Sequence, residues 1–164
     1  MFARALFITV LLLAGLGLAA RVYMGRAVEN ELRPDEKIAI RELRDPIPQN
    51  AFLTCPAGYC AATAASSPTF KLSVARLAED WAEMVAGESG VVQITAEPTQ
   101  HRLVLIQHTM LLRFPDIITV EFVDVAPDRS SLAIYSRSRY GRGDFGTNRR
   151  RVERWLSQLA QIAG

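Results

Sequence analysis

The sequence predicts an α+β protein, a four-stranded antiparallel meander sheet with two helices on one face in the order αββββα, preceded by an N-terminal transmembrane helix. Three observations carry this expectation. An apolar run opens the chain. One-sided apolar stripes at spacings of three and four residues recur near both ends of the last 95 or so residues. Between them lie four strand-like runs divided by short turn signals rich in Pro and Asp. The predicted organisation is an anchor or signal segment over 1–24, a charged and then Pro-rich connector over 25–70, and a globular domain over 71–164.

Ala5 to Ala20 is apolar apart from Thr9 and two glycines, with Arg4 before it and Arg21 after it. The run is shorter than the roughly 20 residues that cross a bilayer, but Val22, Tyr23 and Met24 extend it while Arg21 reaches back to the interface. It also fits a signal peptide cleaved after Ala19 or Ala20. Gly17 or Leu18 three residues before the cut favours an uncleaved anchor. Arg4 on one side and Arg21 and Arg26 on the other leave the charge rule for orientation without a clear direction. A segment so near the chain start commonly works as an export signal. The expected location is therefore a bacterial inner membrane with the C-terminal domain on the periplasmic side.

Residues 25–45 carry both charge signs without a sustained apolar period and read as a spacer. Prolines at 46, 48, 56 and 68 then argue for an extended segment that wraps the domain. Within it stand Cys55 and Cys60. Four residues separate them, which is not the two-residue spacing of a redox motif, and in an exported domain a short disulfide loop is the leading reading. No metal is expected, because two thiolates need two more ligands and the only histidines, His101 and His108, lie far along the chain.

In the domain, Ser73 caps a helix whose stripe is Val74, Leu77, Ala78, Trp81, Met84 and Val85, ended by Gly87 or Gly90. Strands follow at 91–97, 101–113, 117–125 and 132–140, turning at Pro98-Thr99-Gln100, Phe114-Pro115-Asp116 and Pro127-Asp128-Arg129. A last helix begins near Asp144, with Phe145, Val152, Trp155, Leu156 and Leu159 along one side. Strand parity places Val92, Ile94, Val104, Ile106, His108, Met110, Leu112, Ile118, Val120, Phe122, Leu132 and Ile134 on the helix-bearing face. The other face is mixed: Gln93, Thr95, Gln107, Thr109, Thr119, Glu121, Tyr135, Arg137 and Arg139, interrupted by Leu103, Leu105 and Leu111. Either residues 46–70 cover its apolar part or it walls a groove.

Seven arginines fall between Arg137 and Arg154 against Asp144 and Glu153, a local excess of five positive charges in a chain of net charge +2. The overall charge is too small to imply nucleic acid, and none is expected as a partner. The segment Ser136-Arg137-Ser138-Arg139-Tyr140-Gly141-Arg142-Gly143-Asp144-Phe145-Gly146-Thr147-Asn148-Arg149-Arg150-Arg151 resembles the signature of the DUF1499 family, domains of unknown function. Matching positions are 136–139, 141, 144, 146, 148, 149 and 151. Arg113-Phe114-Pro115-Asp116 and the proline-rich approach to Cys55 add to the likeness, which covers about 44–160. Tyr140, Arg142, Gly143 and the second cysteine, Cys60, depart from the family pattern. The resemblance implies no activity, cofactor or catalytic residue.

A strand end, a Gly-rich turn and a first helical turn together suit anion capture, because helix-start N–H groups point outward and arginines add forked donors. The candidate ligand-binding residues are Arg137, Arg139, Asp144, Asn148 and Arg149, with Asn148 and Arg149 turned towards the sheet and Arg150, Arg151 and Arg154 outward. The competing reading is structural: Asp144 caps the helix, Gly141, Gly143 and Gly146 permit the turn, and Asn148 and Arg149 tie it to strand ends and to Asp124 or Glu121. Glu121 near Tyr135, and Thr119 opposite Arg137, suggest a surface ion-pair ladder with Arg139. His108 reads as a hydrogen-bonded core histidine, and Trp81 and Trp155 as core anchors. No nucleophile elbow, phosphate loop or cofactor motif is present in the sequence, and no cofactor is expected. The leading expectation is a non-enzymatic envelope module that binds an anionic or amphipathic ligand, a lipid or a partner protein. A hydrolase or transferase at the same corner, and a purely structural tethered domain, are the alternatives.

Overall fold

The computed structural model describes residues 2–27, 36–97, 101–109 and 114–163, and the side chains of these except at 2–5, 21, 24–27, 93 and 94. The first element is helix α1 (Phe2–Ala27), 26 residues long. Every side chain from Leu6 to Ala20 is exposed. Among the described residues no helix is long and apolar enough to cross a membrane. The described side chains of α1 cover less than the roughly 20 residues that a crossing takes.

The meander is present as β4 (Val91–Glu97), β5 (Arg102–His108), β6 (Pro115–Ala126) and β7 (Arg129–Ser138), all paired antiparallel. The sheet is larger than the four strands expected. Three further strands, β1 (Ala51–Cys55), β2 (Ala65–Ser66) and β3 (Thr69–Phe70), come from the Pro-rich stretch, giving the order β2-β1-β7-β6-β5-β4 with β3 also on β7. β1 covers Ile134 to Arg137 and β3 covers Ser130 and Ser131, so the two act as one interrupted edge strand. The physical reason is that β7, last in the meander, would otherwise offer a bare row of backbone donors and acceptors.

Helix α2 (Val74–Ala86) starts as expected, with Ser73 Oγ accepting the Arg76 N–H at 3.3 Å, and ends at Gly87. Helix α3 is Thr147–Ile162, three residues later than the start read from the sequence. Both helices lie on one face. Trp81 meets Trp155 edge-on at 5.6 Å and Phe122 at 6.3 Å, contacts each worth about 0.5–1.5 kcal/mol beyond burial. Beneath them are Leu105, Ile118, Val120, Phe122, Leu132 and Ile134, together with Phe52 of β1.

The expected faces hold for β6 and β7 and are inverted for β5. Leu105 pairs with Ile118 and Leu103 with Val120, so these leucines join the helix-side core while Val104 and Ile106 form a cluster with Ile117 on the opposite side. A one-residue change of register moves a whole strand's side chains to the other face. A bulge between Gln93 and Thr95 adds a second change within β4. His108 consequently closes β5 on the side away from the helices, opposite Pro115. On β6 and β7, Thr119 pairs with Tyr135 and Ile117 with Arg137, two positions from the expected register but on the same faces. The Pro98-Thr99-Gln100 turn, Met110, Leu111, Leu112 and Arg113 lie outside the described residues, as do the side chains of Gln93 and Ile94.

The second face is covered. Ile40, Leu53, Cys55, Ala62, Ala133 and Tyr135 form a second core under the segment 36–64, and Cys55 and Cys60 are joined in a disulfide with Cα atoms 6.1 Å apart. One of the two roles expected of the Pro-rich stretch was to cover Leu103, Leu105 and Leu111; the surface it covers is instead that of Ala133 and Tyr135, because Leu103 and Leu105 turn to the helix side, and Leu111 lies outside the described residues. A 3₁₀ turn at Ile40–Glu42 lies in the same layer.

Candidate functional site

The corner where β7 runs into α3 begins with alternation. Ser136 and Ser138 face the helices, and Arg137 and Arg139 face the other side. On the helix side, Asn148 is fully buried and its amide is completely satisfied. Its Oδ1 accepts Ser136 Oγ–H at 2.7 Å and an Arg151 N–H at 2.5 Å. The two N–H groups of its Nδ2 are shared among the Asn50 carbonyl at 3.0 Å, Ser138 Oγ at 3.2 Å and Asp144 Oδ2 at 2.8 Å. Arg151 also donates to Ser136 Oγ at 2.9 Å, to Gln107 and to Asp116, forming an ion pair whose side chains are 5% and 2% exposed.

The sequence placed Arg151 outward and Arg149 inward, and the structure reverses both. Arg151 lies three residues after Asn148 and four before Trp155, on the helix face that both occupy. Arg149 lies outside, its guanidinium 4.8 Å from the Phe52 ring centroid. Neither Asn148 nor Arg149 reaches Asp124 or Glu121 among the bonds described. Arg150 is outward as expected, donating to the Phe145 carbonyl at 2.8 Å, and Arg154 pairs with Glu88.

Asp144 accepts the backbone N–H groups of Gly146 at 2.9 Å and Asn148 at 2.8 Å, so its carboxylate already occupies the helix start. Burial pushes its pKa up, but these bonds and the Asn148 amide outweigh that and hold it below the ordinary carboxylate value. Asn50 locks the same turn, donating to the carbonyls of Ser138 at 3.2 Å and Gly141 at 2.9 Å. Gly141 at φ +88° and Gly146 at φ +76° take conformations that glycine adopts without a Cβ penalty.

On the other side of β7, Arg139 makes a two-pronged pair with Glu36, both contacts at 2.5 Å, with side chains 4% and 1% exposed. Arg137 is half-buried beside Tyr135, whose pKa is raised by burial and lowered in part by that guanidinium. Glu121 does not join a ladder with these arginines. It is buried, accepting the Ile40 N–H at 3.1 Å and the Tyr59 hydroxyl at 2.8 Å, with Arg102 at 4.0 Å. Burial first, and then the hydrogen bond to Glu121, raise the Tyr59 pKa.

Beside the corner lies a cleft of about 350 Å³ between Thr109, Phe114 and Asp116 on one side and residues 138–147 on the other. Phe114 and Tyr140 line it with Phe145 at its rim, and Asp116, Ser138 and Asp144 lie along it. Phe145 was expected on the buried side of the last helix. Instead it precedes the helix at φ +52° and is 98% exposed. Of the five predicted ligand residues, only Asp144 lines this cleft. Asp116, Gln107, Asn50 and Glu36 were not singled out by chemistry in the sequence. Their only signals were Asp116 in the Phe-Pro-Asp turn and Asn50 in the Pro-rich approach to the cysteines.

Fold and site together define an α+β module in which two helices and a strap of chain enclose a mainly antiparallel sheet, with a polar knot and a cleft with an aromatic rim at one end. The chain belongs to the DUF1499 family: residues 45–159 match the family described as Protein of unknown function (DUF1499). Among curated proteins, none matches it. The family-like residues Ser136, Ser138, Asp144, Asn148 and Arg151 are the members of the knot, and Arg139 is the clamp on Glu36.

Proposed function

We propose that this protein is a membrane-anchored, non-enzymatic binding module whose cleft takes the apolar part of an amphipathic ligand. The observation that carries the reading is the cleft at the family signature, lined by Phe114 and Tyr140 with Phe145 at its rim and wide enough for several methylene groups. Anion capture by the predicted residues gains less support, since Arg139 is neutralised by Glu36 and the helix start is filled by Asp144. A hydrolase or transferase also gains little. Asp116 is committed to Arg151, and Asp144 and Asn148 spend their polar atoms on one another and on backbone.

Support for the anchor comes from α1. The side chains described from Leu6 to Ala20 are all exposed and, apart from Thr9 and two glycines, apolar, with Leu6, Leu12 and Leu16 at 68%, 69% and 71%, a surface that lipid would cover. The disulfide supports an oxidising compartment and hence export of the domain to the periplasmic side.

The test uses the full chain in lipid nanodiscs with a fatty acid carrying a diazirine near its chain end, adducts being mapped by peptide mass spectrometry. The reading expects adducts around Phe114, Tyr140 and Phe145, and their loss in Gly143→Trp. A Cβ at Gly143 would meet nothing within 4 Å, so this change fills the cleft without forcing the backbone. Labelling confined to α1, or unchanged by Gly143→Trp, removes the proposal.

A further inference from the structure

We infer that the Phe145 loop is a membrane-contact element that docks the aromatic end of the sheet on the anionic lipid surface beside the anchor, an inference that rests on the anchoring proposed above. Four observations converge on that surface. The first is the ring itself, 98% exposed, flanked at the cleft by Phe114 at 40% and Tyr140 at 42%. Aromatic rings settle at the boundary between headgroups and hydrocarbon, where an apolar body finds partners that water does not offer.

The second is bracing. Phe145 stands at φ +52° between Asp144, which accepts the Gly146 N–H, and Arg150, which donates to the Phe145 carbonyl. A collapsed loop would bury the ring against the cleft wall. This one is held in a left-handed conformation that bulky residues seldom adopt, with its ring turned to solvent.

The third is charge. Arg142, Arg149 and Arg150 are exposed on the same loop and the adjoining helical turn, and exposed arginines beside interfacial aromatics complement anionic headgroups. Of the acids nearby, Asp116 is paired within the knot and Asp144 faces backbone N–H groups, so the exposed Glu153, one turn along α3, leaves the three arginines in excess.

The fourth is reach. Arg139, six residues before Phe145, clamps Glu36, and Glu36 is nine peptide links from the end of α1 at Ala27. Nine links extend to roughly 32 Å at most. Glu36, clamped at the end of the sheet that carries the aromatic rim, therefore stays within that distance of the end of α1. The β6–β7 turn lies at the opposite end of a ten-residue strand. One inserted ring binds lipid weakly by itself, but a short tether supplies a high effective concentration, so a weak contact suffices.

The test places an indole at the loop by Phe145→Trp in the full chain, reconstituted in vesicles whose acyl chains carry bromine. Trp81 and Trp155 are 1% and 0% exposed, so collisional quenching reports the added ring. Expected results are quenching several-fold stronger in phosphatidylglycerol than in phosphatidylcholine vesicles, weakening on Arg142→Ala, and none for an indole introduced by Ala126→Trp at the far turn. Unchanged thermal unfolding of Phe145→Trp confirms that the fold is kept. Alkaline carbonate extraction of the same vesicles separates the two layers of the argument. A chain that resists extraction while its added indole stays unquenched in both lipids overturns the docking and spares the anchor. A chain that is extracted overturns both. Quenching indifferent to lipid charge and to Arg142→Ala overturns the anionic surface as the partner.

Discussion

On the helix side of β7, Ser136 and Ser138 join Asn148, Arg151 and Asp116 into one buried knot, while on the other side Arg139 holds Glu36. Both sides use arginine paired with a carboxylate, and both pairs are almost completely buried. They differ in what they connect. The knot joins β6, β7 and α3, elements already fixed by the sheet ladder and the tryptophan core, so its loss is felt by the whole cooperative unit. The Arg139 clamp and the Glu121–Ile40 bond hold residues 36–50, whose described residues include 3₁₀ turns but neither an α-helix nor a strand. Segments with few regular backbone bonds open locally at lower free energy than core strands. The same chemistry thus serves as a keystone on one face and a latch on the other.

The largest expected effect breaks the keystone. Asp116→Ala leaves Arg151 charged and buried and should cost about 3–5 kcal/mol in urea unfolding, whereas Asp116→Leu combined with Arg151→Met should recover most of the loss. Arg139→Ala comes next and sharpens the contrast. It should lower the global unfolding free energy by about 1–3 kcal/mol but abolish hydrogen-exchange protection at the Ile40 N–H, which is bonded to Glu121. Equal loss of protection throughout the sheet would make the two faces a single unit.

A smaller effect depends on pH. The Asp144 carboxyl is held below its ordinary value in the folded chain, so its stabilisation is present above the unfolded-state pKa and is lost as pH falls through the lower folded value. Melting temperatures of the native chain and Asp144→Asn should differ most near neutrality and converge in acid. A constant gap from neutral to acid pH would show that the cap acts through shape and not charge. The smallest change is Phe145→Asn, which should raise stability by about 0.5 kcal/mol in thermal melts by easing the left-handed backbone while removing no buried contact.

Much of this was legible because it is local. Ser73 and the Val74, Leu77, Trp81, Met84 stripe set α2, the hydrophobic alternation and turn residues set four meander strands, and a five-residue spacing brought Cys55 to Cys60. The site was legible as a motif but not as a geometry. Asp144 as a cap and Asn148 as a buried tie were foreseen in the structural reading. Asp116 and Glu36 were not, because their partners Arg151 and Arg139 lie 35 and 103 residues away. Nothing in a single sequence marks which carboxylate meets which arginine across such distances.

By itself the sequence determined the apolar opening helix, the two amphipathic helices and the antiparallel meander, since periodicity and turn chemistry act within a few residues. Tertiary structure decided three things. The first is the face of β5, because a single residue of register inverts every side chain on a strand. The second is the fate of the Pro-rich stretch, because only the assembled meander offers the open edge and the apolar second face that it covers. The third is the role of each arginine, because burial and pairing depend on which element crosses above.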